Sequence, residues 1–197
     1  MFIYLMRHGQ TDWNVEMRMQ GCADIPLNET GKAQARQAAA GMAQIPFDYV
    51  LSSPLSRARQ TAEIVTEGRS LPLHIDARLT ELNFGIMEGA HRQDYPEASI
   101  YFHDPAHYVP PEGGESYAEL DVRCAGILEN LFLPLEKDYE HVLVCSHAAL
   151  ITGLVRRVLN RPLCDFWSGL RRGNCSCSIL ECKNGQFRLI EESHIFG

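Results

Sequence analysis

"FIYLMRHGQTDWN", residues 2–14, runs five apolar side chains straight into an arginine, a histidine and a glycine. A short, continuously apolar run suits a strand buried on both faces, as in a parallel sheet covered by helices. Its far end carries Arg7 and His8, groups that a core does not accept without partners. The pattern recurs twice: "DYVLSS" (48–53) precedes "PLSRARQTAEIV", and "HVLVCSH" (141–147) precedes "AALITGLVRRVL". Each is an apolar strand, a polar end and then helix-forming sequence. This alternation predicts an α/β domain, a three-layer α/β/α sandwich with a mostly parallel central sheet.

Other segments fit that frame. A helix is expected from about Thr30, with Ala35, Ala38, Ala39 and Met42 on one face. Ser53 is placed to cap the helix after the second strand, with Pro54 at its first position. Ser116 and Glu119 form a capping-box pattern. The amphipathic run after it, Leu120, Cys124, Ile127, Leu128 and Leu131, should stop at Pro134. Near the C-terminus, "CSCSILEC" should pair with "GQFRLIEE" through Asn184-Gly185. Residues 83–115, with four prolines and Gly113-Gly114, read as an irregular insertion or lid within a single domain spanning 1–197.

The 197 residues carry a net charge of −7, which argues against nucleic-acid or anionic-membrane partners. Seven cysteines without a CxxC pair suit reduced thiols, mostly packed as small apolar groups. No apolar run reaches the roughly 18 residues of a membrane span. With no signal-peptide pattern, a cytoplasmic protein is expected. Oligomeric state is left open, a homodimer included.

In open parallel sheets, ligands bind beyond the carboxyl ends of the strands. Three strand ends here bring Arg7 and His8, then Ser52, Ser53 and Arg57, then Ser146 and His147. Two imidazoles, two guanidiniums and two helix N-termini would converge there, a composition that favours phosphate. A neutral imidazole can attack phosphorus and divide a slow ester cleavage into two easier steps. A positioned acid would add roughly 10²–10⁴ in rate. Glu81, in "RLTELNFGIMEG" (78–89), is the candidate acid.

"RHGQTDWN", "LSSPLSRARQTA", "LTELNFGIMEG" and "VLVCSHAALI", in this order, resemble the histidine phosphatase superfamily, the phosphoglycerate-mutase-like branch. The motifs run from residue 7 to 151 and so cover most of the chain. The resemblance implies that His8 forms a phosphohistidine, that Arg7, Arg57 and His147 bind the phosphoryl group, and that Glu81 is the proton donor. It also implies that Asn14 reaches the phosphate and that Gln20 and Gly21, in "MQGCADIPLNETG", line the phosphate or substrate site. Ala148 would stand beside the bound group, with no metal and no cofactor. Many members have Gly-Gly where this chain has Ala148-Ala149, a poor substitution if either position needs positive φ. The glycolytic mutases of the family carry a longer basic insertion, whereas only Arg92 lies near Glu81 here. That shorter, wetter site implies a phosphatase for small-molecule phosphomonoesters, such as α-ribazole 5'-phosphate or a sugar phosphate. The alternatives are a bisphosphate-dependent mutase and a non-catalytic phospho-ligand-binding module.

Residues outside this set draw simpler readings. Arg59 falls on the surface side of its helix, and Glu88 is a rival acid to Glu81. His103 and His107 are four apart, but the intervening Pro105 argues against a metal pair; with Tyr101, Phe102 and Tyr108 they could line the substrate mouth. Cys175 and Cys177 fill one face of a strand, and Asn174 approaches the cleft. Arg156-Arg157 and Arg171-Arg172 are expected as solvated surface charges.

Overall fold

The apolar runs become strands because helices cover both of their faces. The computed structural model describes residues 1–168 and 172–196. In chain order, β1 (Phe2–Arg7) and a single turn α1 (Asp12–Val15) lead to α2 (Glu29–Gly41), β2 (Tyr49–Ser52) and α3 (Ser56–Val65). Next come β3 (Leu73–Ile75), α4 (Pro96–His103) and α5 (Tyr117–Ile127). The chain ends with α6 (Leu133–Leu135), β4 (His141–Ser146), α7 (Ala148–Val158), β5 (Ser176–Lys183) and β6 (Gln186–Ile195). The sheet order is β3-β2-β4-β1-β5-β6. The first four strands are mutually parallel, and β5 and β6 add an antiparallel hairpin. This is the expected mostly parallel α/β sandwich.

Alternate side chains of each central strand enter opposite cores. Ile3, Leu5, Val142 and Val144 pack with Leu120, Cys124, Leu150 and Leu154 of α5 and α7. Tyr4, Met6, Leu143 and Cys145 pack with Ala35, Ala38 and Ala62 of α2 and α3. The hairpin turn carries Asn184 at φ 53° and Gly185 at φ 77°, the left-handed pair that a tight two-residue turn requires. The Ser116–Glu119 capping box forms as expected.

Three local expectations are corrected. Helix α3 begins at Ser56, with Leu55 as its cap residue and no side-chain cap bond from Ser53. Pro134 does not end a continuous helix: α5 gives way at Leu128 to a π-helical turn, Leu128–Phe132, and Pro134 sits in the first turn of α6. The residues on either side of that turn are helical, so the path runs on through Pro134 to Leu135, with the i→i+5 bonding of the π-helical turn just before the proline. Residues 83–115 hold α4 and several short 3₁₀ turns. Tyr101, 1% exposed, stacks on Tyr117 at 5.3 Å and 10° and joins this segment to the core.

Gly9 serves close packing and not an unusual φ. A Cβ there would stand 2.5 Å from the Gly31 carbonyl oxygen, and one on Gly31 would stand 2.1 Å from the Gln10 oxygen. Gly126, in α5, meets nothing nearer than the Asn130 amide at 4.0 Å. Gly126→Ala should therefore stabilise the protein by about 0.4–1 kcal/mol, through lost freedom in the unfolded chain. Gly31→Ala should destabilise by at least ~1–3 kcal/mol, the cost of overpacking. Urea unfolding of both variants checks the contrast.

Candidate active site

Strand register brings the polar ends together. Arg7 of β1 lies opposite Ser146 of β4, and the His8 amide donates to the Ser146 carbonyl at 3.0 Å. Ser52 of β2 lies opposite Cys145, and the Ser53 amide donates to the Cys145 carbonyl at 3.0 Å. The His8 and His147 rings therefore sit 5.2 Å apart between their centroids. A pocket of about 60 Å³ opens above them, bordered by Arg7, His8, Asn14, Gln20, Gly21, Arg57, Glu81 and Ala148. His147 is fully buried, with its ring beside that of His8.

His8 Nδ1 lies 2.7 Å from the Gly9 carbonyl oxygen. A carbonyl only accepts, so we assign the ring proton to Nδ1, which leaves Nε2 with the lone pair. Burial, reinforced by the charges of Arg57 and Arg7, holds His8 well below the ordinary histidine range. Burial, with Arg57 and His8, does the same for His147. Held below that range, both imidazoles are neutral at pH 7, and His8 borders the pocket.

Ser53 has a function here that the capping pattern concealed. Its Oγ lies 2.8 Å from His147 Nε2 and accepts the Leu55 amide at 3.3 Å. The Leu55 amide can only donate to Oγ, so Nε2 is the contact able to accept the hydroxyl proton, and we place the His147 proton on Nδ1. Nδ1 is buried without a protein partner.

Arg57 is fully buried and donates from Nη2 to the Gly21 carbonyl and from Nη1 to the Ala23 carbonyl, each at 2.7 Å. Arg7 donates to the carbonyl of Arg172. Neither guanidinium forms an ion pair with a described carboxylate, and the Nε of each is buried without a partner. Burial lowers the Arg57 pKa to about 10, against the pull of the more distant Glu81 and Asp24. An arginine at that value still carries its full charge near neutrality. Thr61 locks the two sides together, accepting the Gly9 amide at 3.0 Å and donating to the Arg57 carbonyl at 2.7 Å.

The helix N-termini are spoken for. Asp24 takes the Ser56 amide at 2.6 Å and the Ser56 hydroxyl at 2.8 Å at the start of α3. Glu81 takes the Ala149 and Leu150 amides at 3.1 and 3.2 Å at the start of α7. The expectation that these amides converge on a ligand is corrected: carboxylates satisfy them, as helix N-termini favour. Ala148 and Ala149 are helical and have negative φ, so no glycine is needed there.

The loop after β1 is held by its own polar groups. Asn14 Oδ1 accepts the Thr11 amide at 3.1 Å, and Gln20 Oε1 accepts the Thr11 hydroxyl at 3.0 Å. Asn174 does reach the cleft, donating to the His8 carbonyl at 3.1 Å and to Asn14 Oδ1 at 3.2 Å. Glu88, the rival acid, does not border the pocket, and its Oε1 holds the Cys22 and Phe84 amides at 2.6 and 3.2 Å. Gly21, at φ 51°, leaves room for it, because a Cβ there would stand 2.1 Å from that oxygen. Arg59 is exposed, as expected.

Further expectations fail on Tyr108 and on Arg172, while Arg157 is exposed as expected. Tyr108 is buried against Tyr101 and Tyr117 and does not line the pocket. Arg172 is a buried strut and not a surface charge; it donates to Thr152 and Ser178 and pairs with Glu192 at 3.1 Å. Arg156 pairs with Asp121, and Arg157 pairs with the same carboxylate at 2.7 Å. Arg171 lies outside the described residues. His107 pairs with Asp104 at 2.8 Å on the surface, while His103 borders an outer cavity. Among the described residues, no cluster of three His, Cys, Asp or Glu could hold a metal, and no helix is long and apolar enough to cross a membrane.

Residues 3–193 match the family model of the histidine phosphatase superfamily, branch 1. A relative from Cronobacter sakazakii, named probable phosphoglycerate mutase GpmB, is 36% identical, over 91% of this chain and 84% of its own. The solved structure of YhfR from Bacillus stearothermophilus is 31% identical with a TM-score of 0.89, over 98% of this chain and 97% of that one. The α-ribazole phosphatase of Shigella flexneri is 28% identical with a TM-score of 0.88, over 100% and 98%.

Two outcomes follow from these geometries. A histidine held low binds fewer protons folded than unfolded, so its contribution to stability is whole above the ordinary value of 6.5 and is lost as pH falls below it. The loss is up to about 1.4 kcal/mol per pH unit per histidine. Melting temperatures followed below pH 6.5 should fall more steeply for the wild type than for His8→Ala. Separately, Ser53→Ala should release the His147 proton from Nδ1; long-range ¹H–¹⁵N spectra report the tautomer directly. Ser53→Thr should restore the wild-type pattern.

Proposed function

The chain belongs to branch 1 of the histidine phosphatase superfamily, and from that premise we propose that it is a metal-independent phosphatase for small-molecule phosphomonoesters. The observation that carries this reading is His8: a buried, neutral imidazole with its proton held on Nδ1, set between two guanidiniums that have no carboxylate partner. In the proposed reaction, the Nε2 lone pair of His8 attacks phosphorus while the ester P–O bond breaks. Glu81 gives its proton to the departing alkoxide, and Arg7, Arg57 and the Nδ1–H of His147 hold the three equatorial oxygens as charge spreads over them. Asn14, Gln20, Gly21 and Ala148 shape the pocket around that group. Water then attacks the phosphohistidine, Glu81 takes its proton, and the P–N bond breaks to return Nε2 and release inorganic phosphate. The reading treats 1–197 as one domain that needs no cofactor.

Hydrolysis is favoured over transfer by what adjoins the pocket. A second cavity of about 720 Å³ shares Arg7, Arg92, Phe102, Ala148 and Trp167 with it. A mutase keeps water from its phosphohistidine, and so wide an antechamber admits it. α-Ribazole 5'-phosphate and sugar phosphates fit such a space. The mutase reading has the name of the 36% identical relative in its favour.

One experiment separates the readings: phosphate release from a phosphomonoester panel by wild type and His8→Ala, with and without 2,3-bisphosphoglycerate. The expected result is release without primer, abolished in His8→Ala, with an acid-labile phosphoprotein trapped during turnover. Primer-dependent interconversion of phosphoglycerates would replace the phosphatase reading with the mutase. Binding without turnover of any kind would leave a non-catalytic module.

A further inference from the structure

The outer cavity has a chemistry of its own, and the inference drawn from it rests on the phosphatase reading for the position of the phosphoryl group. At about 720 Å³ it lies in the volume range of small-molecule sites. A glycerate-sized alcohol would leave most of it empty. Its outer charged side chains are engaged with one another. Glu192 pairs with Arg161 at 3.2 Å and with Arg172 at 3.1 Å, and Arg156 pairs with Asp121. With Arg157 also on Asp121, four arginines share two carboxylates: the outer rim stays positive, but its guanidiniums are already engaged.

The waist between the two cavities is different. Phe102 and Trp167 border both, with ring centroids 5.5 Å apart at 45°. The Trp167 indole N–H is committed to the Tyr101 carbonyl at 3.0 Å and the Tyr117 hydroxyl at 2.8 Å. The ring is thus fixed in orientation and offers a ligand only apolar surface. Arg92, also shared by both cavities, lies with its guanidinium carbon 4.8 Å from the Phe102 centroid. It forms no ion pair with a described carboxylate, and its Nε is buried without a partner. A guanidinium laid on one ring presents a flat second face that stacks on another.

We propose that this waist selects phosphomonoesters whose alcohol carries a flat aromatic ring, seated against Phe102, Trp167 and the face of Arg92. Ring and phosphoryl group are then read by different residues: the ring by the waist, the phosphoryl group by the pocket beneath. Arg92 acts as a stacking surface in this arrangement and not as the clamp for a second anion.

Non-hydrolysable phosphonates test this without relying on turnover. Calorimetry on the full-length protein would compare 2-phenylethylphosphonate, ethylphosphonate and 2-carboxyethylphosphonate. The phenyl compound should bind at least tenfold more tightly than the ethyl one, and the carboxyethyl compound should show no such gain. Phe102→Ala should bring the phenyl-to-ethyl ratio towards one, and Phe102→Tyr should keep it. A ratio near one in the wild type, no binding of either compound, or tightest binding of the carboxyethyl compound would overturn the proposal. Phosphate release from 2-phenylethyl phosphate, a primary alkyl ester like ethyl phosphate, scores the phosphatase reading separately. Tight phenyl binding without release would sink that reading and leave the waist standing; release without phenyl preference would do the reverse.

Discussion

Two guanidinium charges are held out of water at the carboxyl edge of the sheet without a carboxylate against either. Taking an ion from water into a protein costs several kcal/mol after relaxation; Arg7 and Arg57 recover part of it by donating to the carbonyls of Arg172, Gly21 and Ala23, and part from the more distant charge of Glu81. The loop from Gly21 to Ala23 is shaped as an acceptor surface for one of them, and Thr61 joins that helix to the β1 loop. Most of what surrounds the cleft serves to hold this positive charge in place. The same field, added to burial, keeps both histidines neutral, and a nucleophile must have its lone pair free.

Carboxylates that could have neutralised the arginines are engaged elsewhere. Asp24 sits on the first turn of α3, Glu81 on the first turn of α7, and Glu88 on the amides of Cys22 and Phe84. Each satisfies backbone donors that would otherwise be orphaned. The cleft is therefore electropositive through its side chains and not through its helix termini. Glu81 alone of the three also borders the pocket, which gives it access to a bound group.

Above the charge lies a layer of aromatic rings. Tyr101, Tyr108, Tyr117, Phe166 and Trp167 pack edge to face and stacked around α4. Such contacts turn a segment rich in prolines and glycines into a wall of the antechamber. The charged pocket and this aromatic wall thus lie on separate layers of the fold.

The sequence by itself determined the sandwich, the strand ends and the residues they carry. Apolar runs ending in Arg7-His8, Ser52-Ser53 and Ser146-His147 are local patterns, and burial of the runs compels their polar ends to the edge of the sheet. The choice of Glu81 over Glu88 leaned on the resemblance, since both carboxylates lie in one short motif, whereas Arg57 over Arg59 was legible also from its place nearer the start of the helix. Tertiary structure alone decided the partners: Ser53 on His147 across 94 residues, Arg172 beneath Arg7 across 165, and Trp167 beside Phe102. It also gave the helix amides to Asp24 and Glu81 and turned Arg172 inward. Periodicity and capping patterns describe what a residue does within its own element. Which of several polar groups meets a given donor depends on how distant elements pack, and one sequence read locally holds no record of that.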